Sequence, residues 1–224
     1  MTGRALIAVV AAFAAFPSAA QVALAPAFTD HAVIQRGQPI AVTGTAAPGE
    51  TLTVELAGNR ATATADRDGA WQARLAALSA GGPYDLVVRG GDGRAVATAR
   101  DVMLGDVWLC SGQSNMELPV RRALDFDNQA GGFADPGLRL LTVEKATATV
   151  PQTRFAVAPS WIPASAETVP DFSAACYYMA RELRAARGVA IGAIDATWGG
   201  TQIRAWLDPA ATRTIYGEGE ADLL

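Results

Sequence analysis

The sequence predicts two folding units: a β-sandwich module over residues 21–103 and an incomplete α/β domain with a parallel sheet over residues 104–224. Short stretches of alternating hydrophobicity, separated by turn signals, fill the first unit. Longer apolar runs and one helical stripe fill the second. Half of the 224 residues are hydrophobic and 18% are charged, which is a globular rather than a disordered composition.

Residues 1–20 are typical of a secretory signal peptide. Arg4 supplies the positive charge, and the apolar run over residues 5–16 is too short to span a bilayer. Small residues at 18–20 suit cleavage before Gln21. An N-terminal membrane anchor is the alternative. We therefore expect a secreted or periplasmic protein with no membrane span after cleavage.

The β module is predicted from strands whose apolar residues share one face. Turn signals at 58–59, 66–69, 81–83 and 90–93 separate these strands, and the last strand runs towards Val102. The inward-facing sets are Leu52, Val54 and Leu56; Trp71, Ala73 and Leu75; and Tyr84, Leu86 and Val88. Short strands at this regular spacing indicate a small sandwich.

The α/β unit is predicted from three apolar runs and one helix. Residues 107–110 suit a strand buried on both faces, and residues 138–143 and 189–194 form two further strands. A helical stripe with spacings of 4, 3 and 4 precedes the last strand: Phe172, Cys176, Met179 and Leu183. Strand, helix and strand with so long a crossover indicate a right-handed parallel βαβ unit. Another helix is expected to start at Asp208-Pro209.

A polar turn, Ser-Gly-Gln-Ser-Asn, follows the first of these strands at residues 111–115. Gly112 permits a tight turn that a residue with a Cβ would resist. A hydroxyl just past the carboxyl end of a buried strand stands where open α/β sheets place ligands and nucleophiles, so Ser114 is a candidate nucleophile. On spacing alone an ordinary turn is the commoner explanation. The motif is also not the G-x-S-x-G elbow of α/β-hydrolases.

A second candidate site lies at residues 195–201, where another buried strand ends in Gly199 and Gly200. Their backbone N–H groups could stabilise the oxyanion of an acyl-transfer intermediate, although a plain strand-to-helix turn is the commoner use of such a pattern. Three further residues could either line a substrate pocket or serve core packing and loop bracing: Met116, Glu117 and Trp198.

Residues 105–117, Gly-Asp-Val-Trp-Leu-Cys-Ser-Gly-Gln-Ser-Asn-Met-Glu, resemble the nucleophile block of the sialate O-acetylesterase family. The members of this family are serine esterases of the SGNH type that act on carbohydrates. Residues 172–183 and 191–206 are similar to two further blocks of the family, and residues 28–36 are similar to its opening strand. The resemblance implies an SGNH-type (flavodoxin-like) fold for the second unit.

The resemblance also implies roles for single residues. Ser114 corresponds to the nucleophile, and the oxyanion donor is expected on Gly200, with Gly199 as second choice. Arg204 and Leu118 depart from the family pattern, which has an acidic and an aromatic residue at these positions. These departures concern substrate contacts more than the chemistry.

A serine esterase needs a base, and His31 is the sole histidine of the sequence. It lies some 80 positions before Ser114 in an ordinary strand entry, so we do not expect it to be catalytic. The family's base lies in an Asp-x-x-His block that follows a Gln-Gly-Glu block, and neither occurs before Leu224. About three parallel strands would also leave both edges of the sheet open. We therefore predict the N-terminal part of a longer esterase, with little turnover of its own.

Charge and cysteine content bear on the partners, the cofactors and the redox state of the protein. A net charge of −4 without a basic stripe argues against nucleic acid as a partner, and the absence of a metal-ligand motif predicts no metal and no cofactor. Cys110 and Cys176 are 66 positions apart. We expect two buried free thiols, although a secreted protein could pair them.

Three functional hypotheses follow. The first is an esterase whose partner is an O-acetylated sugar, with sialic acid implied by the resemblance. The second is a catalytically inactive sugar-binding or interaction protein, which the missing base favours. The third is a periplasmic structural fragment that binds no ligand.

Overall fold

The computed structural model describes residues 21–148, 150 and 152–217. The predicted signal peptide at residues 1–20 lies outside this part of the chain. Across the described ranges, every helix is too short or too polar to cross a bilayer.

The described residues form eleven strands and four α-helices. The strands are β1 (Ala23–Leu24), β2 (Val33–Gln35), β3 (Ile40–Thr45), β4 (Thr51–Leu56), β5 (Asn59–Thr64), β6 (Ala70–Leu75), β7 (Gly81–Arg89), β8 (Ala95–Gly112), β9 (Asp135–Thr142), β10 (Ile162–Ala164) and β11 (Ile191–Thr197). The helices are α1 (Ser114–Glu117), α2 (Phe126–Gln129), α3 (Ala174–Arg187) and α4 (Pro209–Tyr216). Three 3-10 turns accompany them at Val120–Arg122, Ala130–Gly132 and Ile203–Trp206.

These strands form a small antiparallel sheet and a large mixed sheet. The small sheet has the order β1-β3-β6, and the large sheet has the order β10-β9-β11-β8-β7-β4-β5, with β2 paired to β8. Side chains of both sheets share one core, in which Val42 and Trp71 of the small sheet pack with Val54 and Val88 of the large sheet. The predicted alternation in β4 and β6 is therefore confirmed. Each fully buried aliphatic side chain, such as these valines, contributes about 1.5–3 kcal/mol to the free energy of folding.

Strand β8 joins the two predicted units. The sequence predicts one strand towards Val102 and a second over residues 107–110, but the structure forms a single strand from Ala95 to Gly112. Its first part pairs antiparallel with β7, and its last part pairs parallel with β11. Between these parts, Met103 to Gly105 pair with β2, so the backbone hydrogen bonding continues through the expected break. The domain division at 103/104 falls inside this strand and remains a prediction.

The parallel arrangement around α3 agrees with the predicted strand–helix–strand unit. Strand β11 lies between β8 and β9 and is parallel to both. The predicted helical stripe is only partly correct, because Met179 is exposed, whereas Tyr177 and Ala180 are buried with Cys176. Positions 176, 177 and 180 satisfy helical periodicity as well as the predicted set does, so spacing alone cannot separate the two faces.

The expectation that both sheet edges stay open is wrong for β9. Strand β10, which contains Pro163, pairs antiparallel with the outer edge of β9. Proline lacks a donor and is tolerated in edge strands such as this one. On the other side, β2 covers β8 only at Met103–Gly105, and Leu109 is 68% exposed.

Candidate functional site

The candidate nucleophile stands where β8 gives way to helix α1. Gly112 has a φ of +135°, and a Cβ built on it would lie 2.9 Å from the Met116 Cγ, so the predicted need for glycine is confirmed. Gln113 then precedes the first residue of α1, which is Ser114. The Ser114 side chain is exposed, and its Oγ donates to the Gln113 Oε1 at 3.1 Å. The hydroxyl is therefore accessible to a substrate.

The start of α3 holds this turn from one side. The Ser173 Oγ donates to the Met116 carbonyl at 2.5 Å, and the Ala174 N–H donates to the Leu118 carbonyl at 2.8 Å. The same Ser173 Oγ caps α3 by accepting from the Cys176 N–H. Hydrogen bonds on both sides of Glu117 thus fix the backbone that follows Ser114.

A disulfide adds a covalent link between the same two elements. Cys110 in β8 is bonded to Cys176 in α3, with their Cα atoms 5.9 Å apart. The prediction of two free thiols is therefore wrong. A separation of 66 positions says nothing about distance, and only the packing of α3 over the parallel strands, chiefly β11, brings the two sulfurs together.

The glycine turn after β11 lies directly beside the nucleophile turn. The Trp198 N–H donates to the Gly112 carbonyl at 2.9 Å, which ties the two turns together. A Cβ built on Gly199 would lie 3.5 Å from the Ser114 Cα. The structure thus brings together the two stretches that the sequence singled out separately.

The two glycines of this turn differ in what their N–H groups do. The Gly199 N–H donates to the Glu117 Oε2 at 2.7 Å. Gly200 is exposed with a φ of +79°, and no acceptor within residues 21–148, 150 and 152–217 bonds to its N–H. This arrangement favours Gly200 over Gly199 as an oxyanion donor.

Glu117 acts as a brace between loops. Its carboxylate forms an ion pair with Lys145 and accepts from Gly199. The hydrogen bond from Lys145, with a smaller effect from the Gly199 N–H, lowers the pKa of the Glu117 carboxyl below its usual range. Met116 packs against the second core cluster and Trp198 is half-buried. For Glu117 and Met116, the bracing and packing alternatives therefore describe the structure better than pocket lining.

Asp195 is the buried carboxyl of this region. It lies near the end of β11, where its Oδ1 accepts from the Thr197 Oγ1 at 2.6 Å and from the Thr197 N–H at 3.2 Å. Burial raises the pKa of Asp195 above its usual range despite these hydrogen bonds. The side chain thus braces the end of β11.

His31 lies at the other end of the parallel strands. Its Nδ1 is 2.7 Å from the Asp101 Oδ2, and Arg139 donates to both carboxylate oxygens of Asp101. Arg139 is level with Val107 in the sheet register, and Gly112 lies about 17 Å further along at roughly 3.3 Å per residue. The position of His31 therefore agrees with the expectation that it is not the base for Ser114.

A cavity of about 520 Å³ opens beside the nucleophile turn. Its lining includes Asn115 and Leu118 from that turn, Arg122 from the following segment, and Tyr178 and Arg181 from α3. Sequence reasoning missed both arginines and the tyrosine. The only sequence signal for these residues is that Arg181 lies outside the apolar stripe of α3. Any solvent-exposed arginine on a helix shows the same pattern. Leu118, the departure from the family pattern, lies in this lining.

The described part of the chain contains no group of three His, Cys, Asp or Glu side chains that could hold a metal ion. The polar groups beside Ser114 include backbone donors and the braced Glu117 carboxylate, and two arginines line the neighbouring cavity.

Comparison with known proteins finds curated relatives that carry the same name. The chain is similar to the sialate O-acetylesterase of Pongo abelii, with 31% identity over 178 residues, and to that of Homo sapiens, with 30% identity over 178 residues. Each alignment covers 73% of this chain and 34% of the relative. The chain thus spans about a third of the length of these curated relatives. No protein-family model matches it.

Among solved structures, the chain is similar to a carbohydrate acetylesterase from Xanthomonas citri. The two share 40% sequence identity with a TM-score of 0.81. The match covers 89% of this chain and 45% of the Xanthomonas citri chain. The likeness therefore extends over most of this chain and over less than half of the Xanthomonas citri chain.

Proposed function

The chain belongs to a sialate O-acetylesterase-like family, and from this premise we propose that it carries the nucleophile and part of the oxyanion hole of a carbohydrate O-acetylesterase. One observation carries the proposal: the exposed Ser114 hydroxyl and the glycine turn after β11 lie side by side, tied by the Trp198 N–H to the Gly112 carbonyl. A nucleophile and backbone donors at one strand end are the components that acyl transfer requires.

In the proposed reaction, the Ser114 Oγ attacks the acetyl carbonyl of the substrate. The oxyanion accepts hydrogen bonds from the backbone N–H groups of Ser114 and Gly200. A base takes the Ser114 proton and returns it to the sugar oxygen as the ester bond breaks, and water then hydrolyses the acetyl-enzyme. We propose an O-acetylated sialic acid as the substrate, in line with the names of the curated relatives.

The base in this proposal is a histidine that lies outside the 224 residues. The one histidine of the sequence, His31, is held by Asp101 and Arg139 at the far end of the parallel strands. Glu117 beside Ser114 is a weak base, because Lys145 lowers its pKa. We therefore propose that the 224-residue chain alone has little turnover.

Two further assignments belong to the same proposal. The parallel strands β9, β11 and β8, with Ser114 at their carboxyl end, support an SGNH-type domain after the β-sandwich module. The disulfide between Cys110 and Cys176 supports a secreted or periplasmic location, since such bonds persist in oxidising compartments.

The test is hydrolysis of an O-acetylated sialic acid by the longest protein that the gene encodes. Ser114→Ala is expected to lower kcat by a factor of about 10³ or more, as removal of a serine nucleophile does. Ser111→Ala is the matched control, because Ser111 is an exposed serine of the same turn, and we expect it to change kcat by less than threefold. Equal losses in both variants would refute the role of Ser114.

The same assay on the 224-residue chain tests the external base. We expect hydrolysis close to the uncatalysed rate. Turnover of the chain that Ser114→Ala abolishes would show that the base lies within these residues.

A catalytically inactive sugar-binding protein is the second candidate function. The distance between His31 and the Ser114 turn favours it for this chain taken alone. A glycan array distinguishes the two: saturable binding of acetylated and deacetylated glycans alike, with no hydrolysis by the longest gene product, is the outcome expected of a binding protein.

A further inference from the structure

The cavity beside Ser114 is placed to hold the part of a substrate that adjoins its ester. Asn115 and Leu118, which line it, belong to the same short segment as Ser114. At about 520 Å³ the cavity has the volume of a small-ligand site, which typically lies between about 300 and 1,000 Å³. A sugar ring bound here would therefore stand within reach of the nucleophile turn.

The charged side chains in this lining are both cations. Arg122 and Arg181 line the cavity, and its lining contains no Asp or Glu, in a chain whose net charge is −4. Arg122 is exposed, and within the described residues its guanidinium has no ion-pair partner, whereas the neighbouring Arg121 pairs with Asp171. A free guanidinium next to a second one favours an anionic ligand.

Arg181 is held in place by neutral groups. Its guanidinium lies 4.9 Å from the ring centroid of Tyr178, and its Nη1 donates to the Gln129 Oε1 at 3.0 Å. The remaining carboxylate contact, to Glu182 at 3.4 Å, is weak because both side chains are exposed. Stacking and a single amide contact orient the planar fork, and the weak contact with Glu182 compensates little of its charge, which suits bidentate binding of a carboxylate.

Tyr178 adds aromatic surface to this lining. Its hydroxyl has almost no accessible surface and no hydrogen-bond partner among the described residues, so the ring rather than the hydroxyl faces the cavity. Leu118 supplies apolar surface for the C–H face of a sugar ring.

We propose that this cavity is the subsite for an acidic sugar, in which Arg122 and Arg181 bind the carboxylate. The inference rests on the proposed function, because it places the acetyl ester of that sugar towards Ser114. A sialic acid and a hexuronic acid both present such a carboxylate. The subsite thus accounts for substrate choice, and the two turns at Ser114 account for the chemistry.

The test is a binding titration of the 224-residue chain by ligand-observed NMR, which needs no turnover. The probes are the methyl glycoside of N-acetylneuraminate, its carboxylate methyl ester, and the methyl glycoside of glucuronate. A charged hydrogen bond is worth enough that we expect at least one acid to bind about tenfold or more tightly than the ester. The tighter of the two acids identifies the source of the carboxylate.

Variants separate the two arginines from general charge. Arg122→Gln and Arg181→Gln are each expected to weaken binding of the acid about tenfold and to leave binding of the ester unchanged. Arg67→Gln is the matched control, because its side chain is 93% exposed in a turn of the β module, and it should have no effect. Arg181→Lys guards against misfolding as an explanation, because it keeps the positive charge and removes only the planar guanidinium that can bind a carboxylate through two hydrogen bonds.

Two results would overturn the subsite. One is equal affinity for the acid and its methyl ester, and the other is unchanged affinity for the acid in an Arg122→Gln, Arg181→Gln double variant. Ser114→Ala should bind the acid as the native chain does. The two tests are therefore independent. Failure of the Ser114 hydrolysis test would refute the proposed chemistry but not the subsite, and failure of the binding test would refute the subsite but not the chemistry.

Discussion

The two ends of the parallel strands use charge in opposite ways. At the amino end, Asp106 is buried and receives three hydrogen bonds, two from Arg36 and one from Arg187. At the carboxyl end, the N–H of Gly200 and the guanidinium of Arg122 have no acceptor among the described residues. Saturated groups stabilise a fold, whereas unsatisfied donors remain available to a ligand.

The amino end shows that charge and a cavity do not by themselves make a site. A cavity of about 470 Å³ there is lined by Arg36 and Asp106. These two side chains already form an ion pair with each other, which joins Arg36, the residue that follows β2, to Asp106 in β8. His31, Asp101 and Arg139 form a second closed network near that end. The comparison therefore predicts that changes to the paired charges at the amino end act on stability and that changes to the unsatisfied donors at the carboxyl end act on function.

The largest stability effect is expected from the disulfide, which belongs to the carboxyl end. A Cys110→Ala, Cys176→Ala double variant should lose about 2–4 kcal/mol of unfolding free energy, because the cross-link restricts the unfolded chain. Urea denaturation with matched m-values measures this loss. Cys110→Ala alone should lose a similar amount. A double variant as stable as the native chain would show that the bond contributes nothing to the fold.

Asp106→Asn tests whether the paired charges at the amino end act on stability. The variant keeps the shape of the side chain but removes the charge that holds Arg36 and Arg187, so we expect a loss of about 2 kcal/mol. Asp68→Asn is the control, because its carboxylate is 78% exposed and its ion pair is weak. Acetate release by the longest gene product should stay within about twofold for both. A large loss of activity with intact stability would break the division between the two ends.

The pH dependence of stability separates two buried aspartates. Hydrogen bonds from Arg36 and Arg187 lower the pKa of Asp106 against the opposing effect of burial, so its contribution is present above the ordinary aspartate pKa of about 3.9 and is lost as pH falls through the lowered value. Burial raises the pKa of Asp195, so its ionisation costs stability as pH rises from about 3.9 through the raised value.

Thermal unfolding between pH 3 and pH 7 measures both aspartates, with roughly 3.9 as the reference pKa. Asp106→Asn should flatten the fall in Tm towards acid pH. Asp195→Asn should remove the cost of ionisation, so its Tm relative to the native chain should improve as pH rises. Identical pH profiles for both variants would contradict the opposite signs of the two pKa shifts.

The smallest effect is expected at the brace beside Ser114. Glu117→Gln keeps an acceptor for the Gly199 N–H but loses the ion pair with Lys145, which is partly exposed. We expect only a slight change in stability, because a solvent-exposed ion pair contributes little. Glu117→Ala also removes the acceptor, so it should lower kcat further than Glu117→Gln does. If the two variants had the same kcat, the contact to Gly199 would not position the turn.

The parts of the fold that the sequence predicts are local ones. Alternating apolar residues in β4 and β6 meet the same core, and the positive φ of Gly112 follows from the tight turn that the motif requires. The meeting of the Ser114 turn and the Gly199–Gly200 turn follows from two parallel strands that end at one edge of the sheet. In the first two cases the interactions that decide the structure lie close in sequence or in one repeating pattern, and in the third the rule for parallel strands places both turns at one edge of the sheet.

The parts that sequence reasoning missed depend on contacts between distant segments. The disulfide needs α3 packed over the parallel strands, the unbroken course of β8 needs pairing with Val33–Gln35, and β10 becomes a strand because the edge of β9 accepts it. The cavity needs the segment after Leu118 to fold back over α3, which brings Arg122 near Arg181. No periodicity or spacing encodes these distances.

Trapping of an acetyl-enzyme tests the central claim most directly. The longest protein that the gene encodes would be mixed with an O-acetylated sialic acid, quenched in acid within the first turnovers, and mapped by peptide mass spectrometry. The account predicts an acetyl group on Ser114 that appears with substrate and is absent from Ser114→Ala. Steady release of acetate with the acetyl group on another residue, or on none, would contradict it.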